Sequence, residues 1–135
     1  MEIQNEALTS NEKQWLKFMF SKNFLNRDEL IAQINHAKIH REYTEYFLSL
    51  HFTAIDAKPV HLHVRVPIEM RLYQDSRAPV QFFLHVVQGY VSELEIFYAD
   101  SSQIDLKNFF ETDHVEILLD SEVIQEAFLE GEVSS

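Results

Sequence analysis

Histidine and glutamate at alternating positions are the side chains of this 135-residue sequence best placed to do chemistry. In Tyr46–Thr53 the apolar positions Tyr46, Leu48, Leu50 and Phe52 alternate with Phe47, Ser49, His51 and Thr53. In Val60–Val66 the apolar set Val60, Leu62, Val64 and Val66 alternates with His61, His63 and Arg65. A period of two places these sets on opposite faces of a strand. Pairing Phe52 with Leu62 matches both apolar faces, and it sets His51 opposite His63 and Thr53 opposite His61. A second hairpin, Val80–Val87 with Val91–Tyr98, turns at Gln88-Gly89-Tyr90. A three-residue loop there faces Leu84 with Leu94, Phe82 with Ile96 and His85 with Glu93. A two-residue turn would set Leu84 against Glu93, so the longer loop is preferred.

If the two hairpins are neighbours, one sheet face carries His51, His61, His63, Arg65, His85, Glu93 and Glu95. Imidazole and carboxylate together can hold a divalent metal or a small ligand, or carry general acid–base work. The same alternation arises on any solvated strand face, and Phe47, Phe83 and Phe97 interrupt the cluster. A plain polar face, exposed or covered by the C-terminal tail, is the favoured reading. No catalytic residue, metal ligand or cofactor is assigned.

A second feature is electrostatic. Residues 1–92 carry 10 acids and 10 bases, while residues 93–135 carry 12 acids against Lys107 alone, so the formal charge of -11 lies in the last third. Glu116, Asp120, Glu122, Glu126 and Glu130 lie in a stretch with its own apolar periodicity. That patterning argues for a packed, acidic surface able to receive a basic protein.

Composition excludes several functions. Without cysteine there is no disulfide framework and no thiolate metal site or nucleophile. The two glycines, Gly89 and Gly131, cannot form a phosphate-cradling loop or a nucleophile elbow beside Ser49. The first residues lack a basic segment followed by an apolar one. No apolar run approaches the roughly 20 residues that cross a bilayer, so a cytoplasmic protein is expected. No basic patch suits nucleic acid or an anionic membrane.

These side chains need a scaffold. Thr9 with Glu12, and Asn26 with Glu29, read as capping boxes that open two helices, near Ser10 and ending near His36. Trp15, Leu16, Phe18, Met19 and Phe20 give the first a broad apolar face, and Leu30, Ile31 and Ile34 mark the second. The 67–79 connection holds a helical turn around Ile68–Leu72. Leu106–Phe110 is an apolar patch without assigned structure, and His114–Leu119 reads as a short sixth strand. Ser121 caps a last helix whose Val123, Ile124, Ala127 and Phe128 share a face, with Gly131 as its stop.

The expected fold is therefore α+β, one domain over residues 1–135. Two N-terminal helices pack on an antiparallel four- to five-stranded meander sheet, a C-terminal helix follows, and the acidic segment 99–135 packs on the body. The stretch Gly89-Tyr90-Val91-Ser92-Glu93-Leu94-Glu95-Ile96-Phe97-Tyr98, after a capped helix at Leu8-Thr9-Ser10-Asn11-Glu12, resembles small bacterial α+β proteins of unknown function. In size and charge the chain is also similar to immunity proteins of bacterial toxin systems. Neither resemblance supplies catalytic residues, and the expected function is binding rather than catalysis, with the acidic C-terminal third offered to a basic protein. The alternatives are a ligand- or metal-binding domain built on the His/Glu face, and a homodimer formed through the sheet.

Overall fold

The computed structural model describes residues 1–74, 77–104 and 114–124. Helix α1 (Ser10–Met19) starts where its capping box places it. Thr9 Oγ1 accepts the Glu12 N–H at 3.2 Å, and Glu12 Oε1 accepts the Thr9 N–H at 2.8 Å. Helix α2 (Arg27–Asn35) starts and ends near the expected positions, but its capping box is not formed. Asn26 sits in the left-handed region at φ 63°, so its side chain makes no capping bond. Arg27 Nε instead donates to Phe20 O at 2.6 Å and fixes the turn between the helices.

Among the described residues six antiparallel strands form one sheet: β1 (Lys38–Tyr43), β2 (Phe47–Thr53), β3 (Ile68–Tyr73), β4 (Val80–Val87), β5 (Tyr90–Tyr98) and β6 (His114–Leu119). Their order is β1-β2-β5-β4-β3-β6. The α+β architecture is as the sequence predicts, with more strands than expected.

Three assignments change. Lys38–Tyr43 is a strand, and it is the hairpin partner of β2: Phe52 pairs with Ile39, and His51 with His40. Residues 60–66 are not a strand. Both edges of β2 are occupied, by β1 and β5, so no open edge remains for that segment to pair with. Between Pro59 and Pro67 it runs across the end of the β4–β5 hairpin, touching it where Val60 N donates to Gly89 O (2.8 Å) and Val86 N to Arg65 O (2.7 Å). Leu62 alone of its apolar set is fully buried. Finally, Ile68–Leu72 is strand β3 rather than a helical turn. Ile68, Met70 and Leu72 are buried while Glu69, Arg71 and Tyr73 are half-buried, a period of two that β4 and β6 then pair on either side.

The β4–β5 turn reconciles two readings. Val87 pairs with Tyr90, so the turn has two residues, and Gln88 (φ 52°) and Gly89 (φ 83°) both take the positive φ such a turn needs. A bulge at Ser92 then restores Leu84 opposite Leu94, Phe82 opposite Ile96 and His85 opposite Glu93, the register that the apolar pattern demands.

The core lies between the helices and one sheet face. Leu48, Leu50, Phe52, Met70, Leu72, Phe82, Leu84, Leu94 and Ile96 point inward against Trp15, Leu16, Met19, Leu30, Ile31 and Ile34. The Trp15 and Phe82 rings lie 5.4 Å apart. Polar groups on this side are held. Gln33 of α2 is 3 % exposed, donates to Lys58 O (2.8 Å) and Gly89 O (2.9 Å), and accepts from Val91 N (2.8 Å). Glu12 receives Arg41 of β1 through Nε (2.8 Å) and Nη2, and Arg41 also donates to Ala7 O (2.6 Å).

A third helix opens at residues 121–124. Its cap is Asp120, not Ser121: Asp120 Oδ1 accepts the Glu122 N–H at 2.9 Å. Val123 is buried, as its periodicity predicts, whereas Ile124 is 48 % exposed. Leu106–Phe110, Ala127, Phe128 and Gly131 lie outside the described residues. Among the described residues no helix is long and apolar enough to cross a membrane.

Candidate functional site

Strand parity determines what the outer sheet face presents. On β2 the inward residues are Leu48, Leu50 and Phe52, so Phe47, Ser49, His51 and Thr53 point outward. Register carries that parity across the sheet. One outer row is His40, His51, Glu93 and His85, read from β1 through β2 and β5 to β4. The next is Glu42, Ser49, Glu95, Phe83 and Glu69. A third holds Phe47, Phe97, Gln81, Arg71 and Glu116.

The fold thus brings together His51, His85, Glu93 and Glu95. It does not bring His61 and His63 to them, since these project from the non-strand crossing and are exposed. The predicted pairing of His51 with His63 is replaced by His51 with His40, whose rings lie 6.2 Å apart. His40, Glu42 and Glu69 join the face from strands that sequence reasoning did not assign. The signal was present in Lys38–Tyr43, where Ile39, Arg41 and Tyr43 alternate with His40 and Glu42.

The polar groups here form separate pairs. His51 Nε2 lies 3.2 Å from Glu42 Oε2, and His85 Nε2 lies 3.0 Å from Glu95 Oε1. Ser49 Oγ donates to Glu93 Oε2 at 2.6 Å, so its hydroxyl is aimed at a carboxylate and not at an imidazole that could activate it. Among the described residues no three His, Asp or Glu side chains converge on one point as a metal requires. Phe83 and Phe97 pack edge to face at 5.2 Å and form an apolar centre within this polar face. His85 Nδ1, Arg71 Nε and Gln81 Oε1 are buried without a hydrogen-bond partner among the described residues.

By register the face carries five carboxylates, Glu42, Glu69, Glu93, Glu95 and Glu116, against the permanent cations Lys38 and Arg71. The acids expected to form a C-terminal surface are partly engaged within the chain. Glu116 meets Arg71 at 3.4 Å, Asp120 caps the third helix, and Glu122 Oε1 accepts the His63 N–H at 3.3 Å. Glu126 and Glu130 lie outside the described residues.

Comparison with protein-family models, with curated proteins and with solved structures gave no match to this chain.

Proposed function

We propose that this chain is a non-catalytic protein-interaction module of an immunity- or inhibitor-like kind, which offers an acidic surface to a basic protein. The observation that carries the reading is the outer sheet face, where carboxylates from four strands surround the Phe83–Phe97 pair. Aromatic contact area supplies burial, and the surrounding acids speed and orient the approach of a positively charged partner. Paired histidine–carboxylate and serine–carboxylate contacts suit recognition better than catalysis, because among the described residues no serine hydroxyl is aimed at an imidazole that could activate it. Glu116 on β6 belongs both to this face and to the acidic C-terminal third of the sequence.

The test is capture of a partner from an extract of the source cells, followed by titration of the purified pair. A basic protein should bind at about 50 mM salt and weaken sharply by about 500 mM. The Glu69→Gln, Glu93→Gln, Glu95→Gln triple variant should bind it about ten-fold or more weakly. A partner insensitive to both salt and these substitutions would overturn the reading.

A further inference from the structure

On the helical side of the molecule, away from the acidic sheet face, a cleft of about 790 Å³ opens beside α1. One wall is a single stripe of that helix and the turn after it: Ser10, Lys13, Gln14, Lys17, Phe18 and Ser21, at spacings of three and four residues. It is the side of α1 opposite Trp15, Leu16 and Met19, which fill the core. The other wall is residues 1–3 with Arg27 and Ile31 of α2.

This second wall is built, not draped. The Asn35 side chain holds the N-terminal segment along α2, since Oδ1 accepts the Gln4 N–H at 2.7 Å and Nδ2 donates to Glu2 O at 2.8 Å. Asn5 Nδ2 adds bonds to Ile34 O and Ala37 O at 2.8 and 2.9 Å. Arg27 is fixed at the cleft by its bond to Phe20 O. The cleft volume falls within the roughly 300–1,000 Å³ of ligand sites.

Its chemistry is unlike the rest of a chain with formal charge -11. Lys13, Lys17 and Arg27 line it against the single acid Glu2. Arg27 is shared with Asp28, but Lys13 and Lys17 form no ion pair among the described residues. Between the cations lie the apolar surfaces of Phe18 and Ile3, above the buried side chains of Phe20 and Ile31. Two lysines on flexible stems suit one compact anionic head, and the apolar walls suit a hydrocarbon body.

We infer that this cleft binds an amphipathic anion, a small molecule with an acyl or similar apolar body and a single carboxylate head. The head sits between Lys13 and Lys17, and the body lies along Phe18 toward Ile31 and Ile3. The site is independent of the acidic sheet face and of whatever binds there.

Sodium decanoate, below the concentration at which it forms micelles, is the probe, titrated calorimetrically and by amide chemical-shift mapping. Saturable binding is expected, with shifts confined to residues 1–3, 10–21, 27 and 31. The Lys13→Glu, Lys17→Glu double variant, which changes two solvent-facing side chains and leaves the core intact, should bind about ten-fold or more weakly. Hexanoate should bind more weakly than decanoate, because it buries less apolar surface. Equal affinity for 1-decanol, undiminished affinity in the double variant, or shifts centred on the outer sheet face would overturn the inference. Co-sedimentation with phosphatidylglycerol vesicles in the absence of decanoate binding would also overturn it, assigning the lysine stripe to a lipid surface instead.

Discussion

The two faces of the sheet handle polar groups in opposite ways. Among the described residues, the buried Gln33 and Glu12 on the inner face each have a structural task. Gln33 ties α2 to the β4–β5 hairpin and to Lys58, and Glu12 ties α1 to β1 through Arg41. On the outer face polar side chains pair locally, and His85 Nδ1, Arg71 Nε and Gln81 Oε1 keep unused bonding capacity among the described residues. Satisfied buried groups specify a fold, whereas these three buried atoms, unpaired among the described residues, add nothing to that specification. The inner face explains why the chain folds this way. The proposed recognition draws instead on the outer face.

The largest test of that contrast is a pair of adjacent phenylalanines. Phe82→Ala removes a fully buried ring in contact with Trp15 and should cost about 3–5 kcal/mol in denaturant unfolding. Phe83→Ala, one residue along and on the other face, should cost about 1 kcal/mol, the worth of an aromatic pair at a half-buried site. Equal losses would erase the distinction between the faces.

Glutamine provides the next test. Gln33→Leu leaves the Val91 N–H and the Gly89 and Lys58 carbonyls without their side-chain partner, for a loss of about 2–3 kcal/mol. Gln81→Leu, whose oxygen has no partner among the described residues, should change stability by less than about 0.5 kcal/mol.

Acid titration separates the faces in a third way. Burial alone would raise the pKa of Glu12, but hydrogen bonds from Arg41 and Thr9 and the guanidinium charge outweigh it and hold the carboxyl below its ordinary value. Its folded-state pKa is depressed, so its contribution is present above the ordinary glutamate pKa and is lost as pH falls through the lowered one. Stability measured from neutral pH downward should therefore fall in the acid range, and Glu12→Gln should flatten that fall while lowering stability at pH 7. The smallest expected effect is Glu95→Gln on the outer face. It should move stability by no more than about 0.5 kcal/mol, since its bond to His85 is only half-buried, while weakening capture of a basic partner.

Local signals in the sequence were legible where their cause is local. The Thr9–Glu12 box determined where α1 begins, because a cap needs only four consecutive residues. The apolar pattern determined the register of β4 on β5 through Leu84–Leu94 and Phe82–Ile96, even though the turn is one residue shorter than the loop expected. A bulge absorbed the difference, since keeping apolar side chains inward outweighs one lost ladder position. Asn26 shows the limit of such signals. The same four-residue box is present, but Arg27 and the turn after Phe24 put Asn26 in a left-handed conformation where its side chain cannot cap.

The outer face was half legible. His85 opposite Glu93 followed from one hairpin, and Glu95 shares its parity. His51 reached them because β2 pairs with β5, across more than forty intervening residues.

What the sequence by itself determined, then, is periodicity: which residues share a face, where the first helix is capped, and where the excess negative charge is concentrated. Only the tertiary structure decided which strands are neighbours. Val60–Val66 has the cleaner alternation, yet Lys38–Tyr43 takes the place beside β2, and the open edges of β3 and β4 pair with each other instead. Alternation records that a segment has two faces, but a strand exists only where a neighbour's backbone offers hydrogen bonds. Each edge of a strand accepts a single partner, so competition among distant segments settles the sheet, and with it which histidines meet which glutamates.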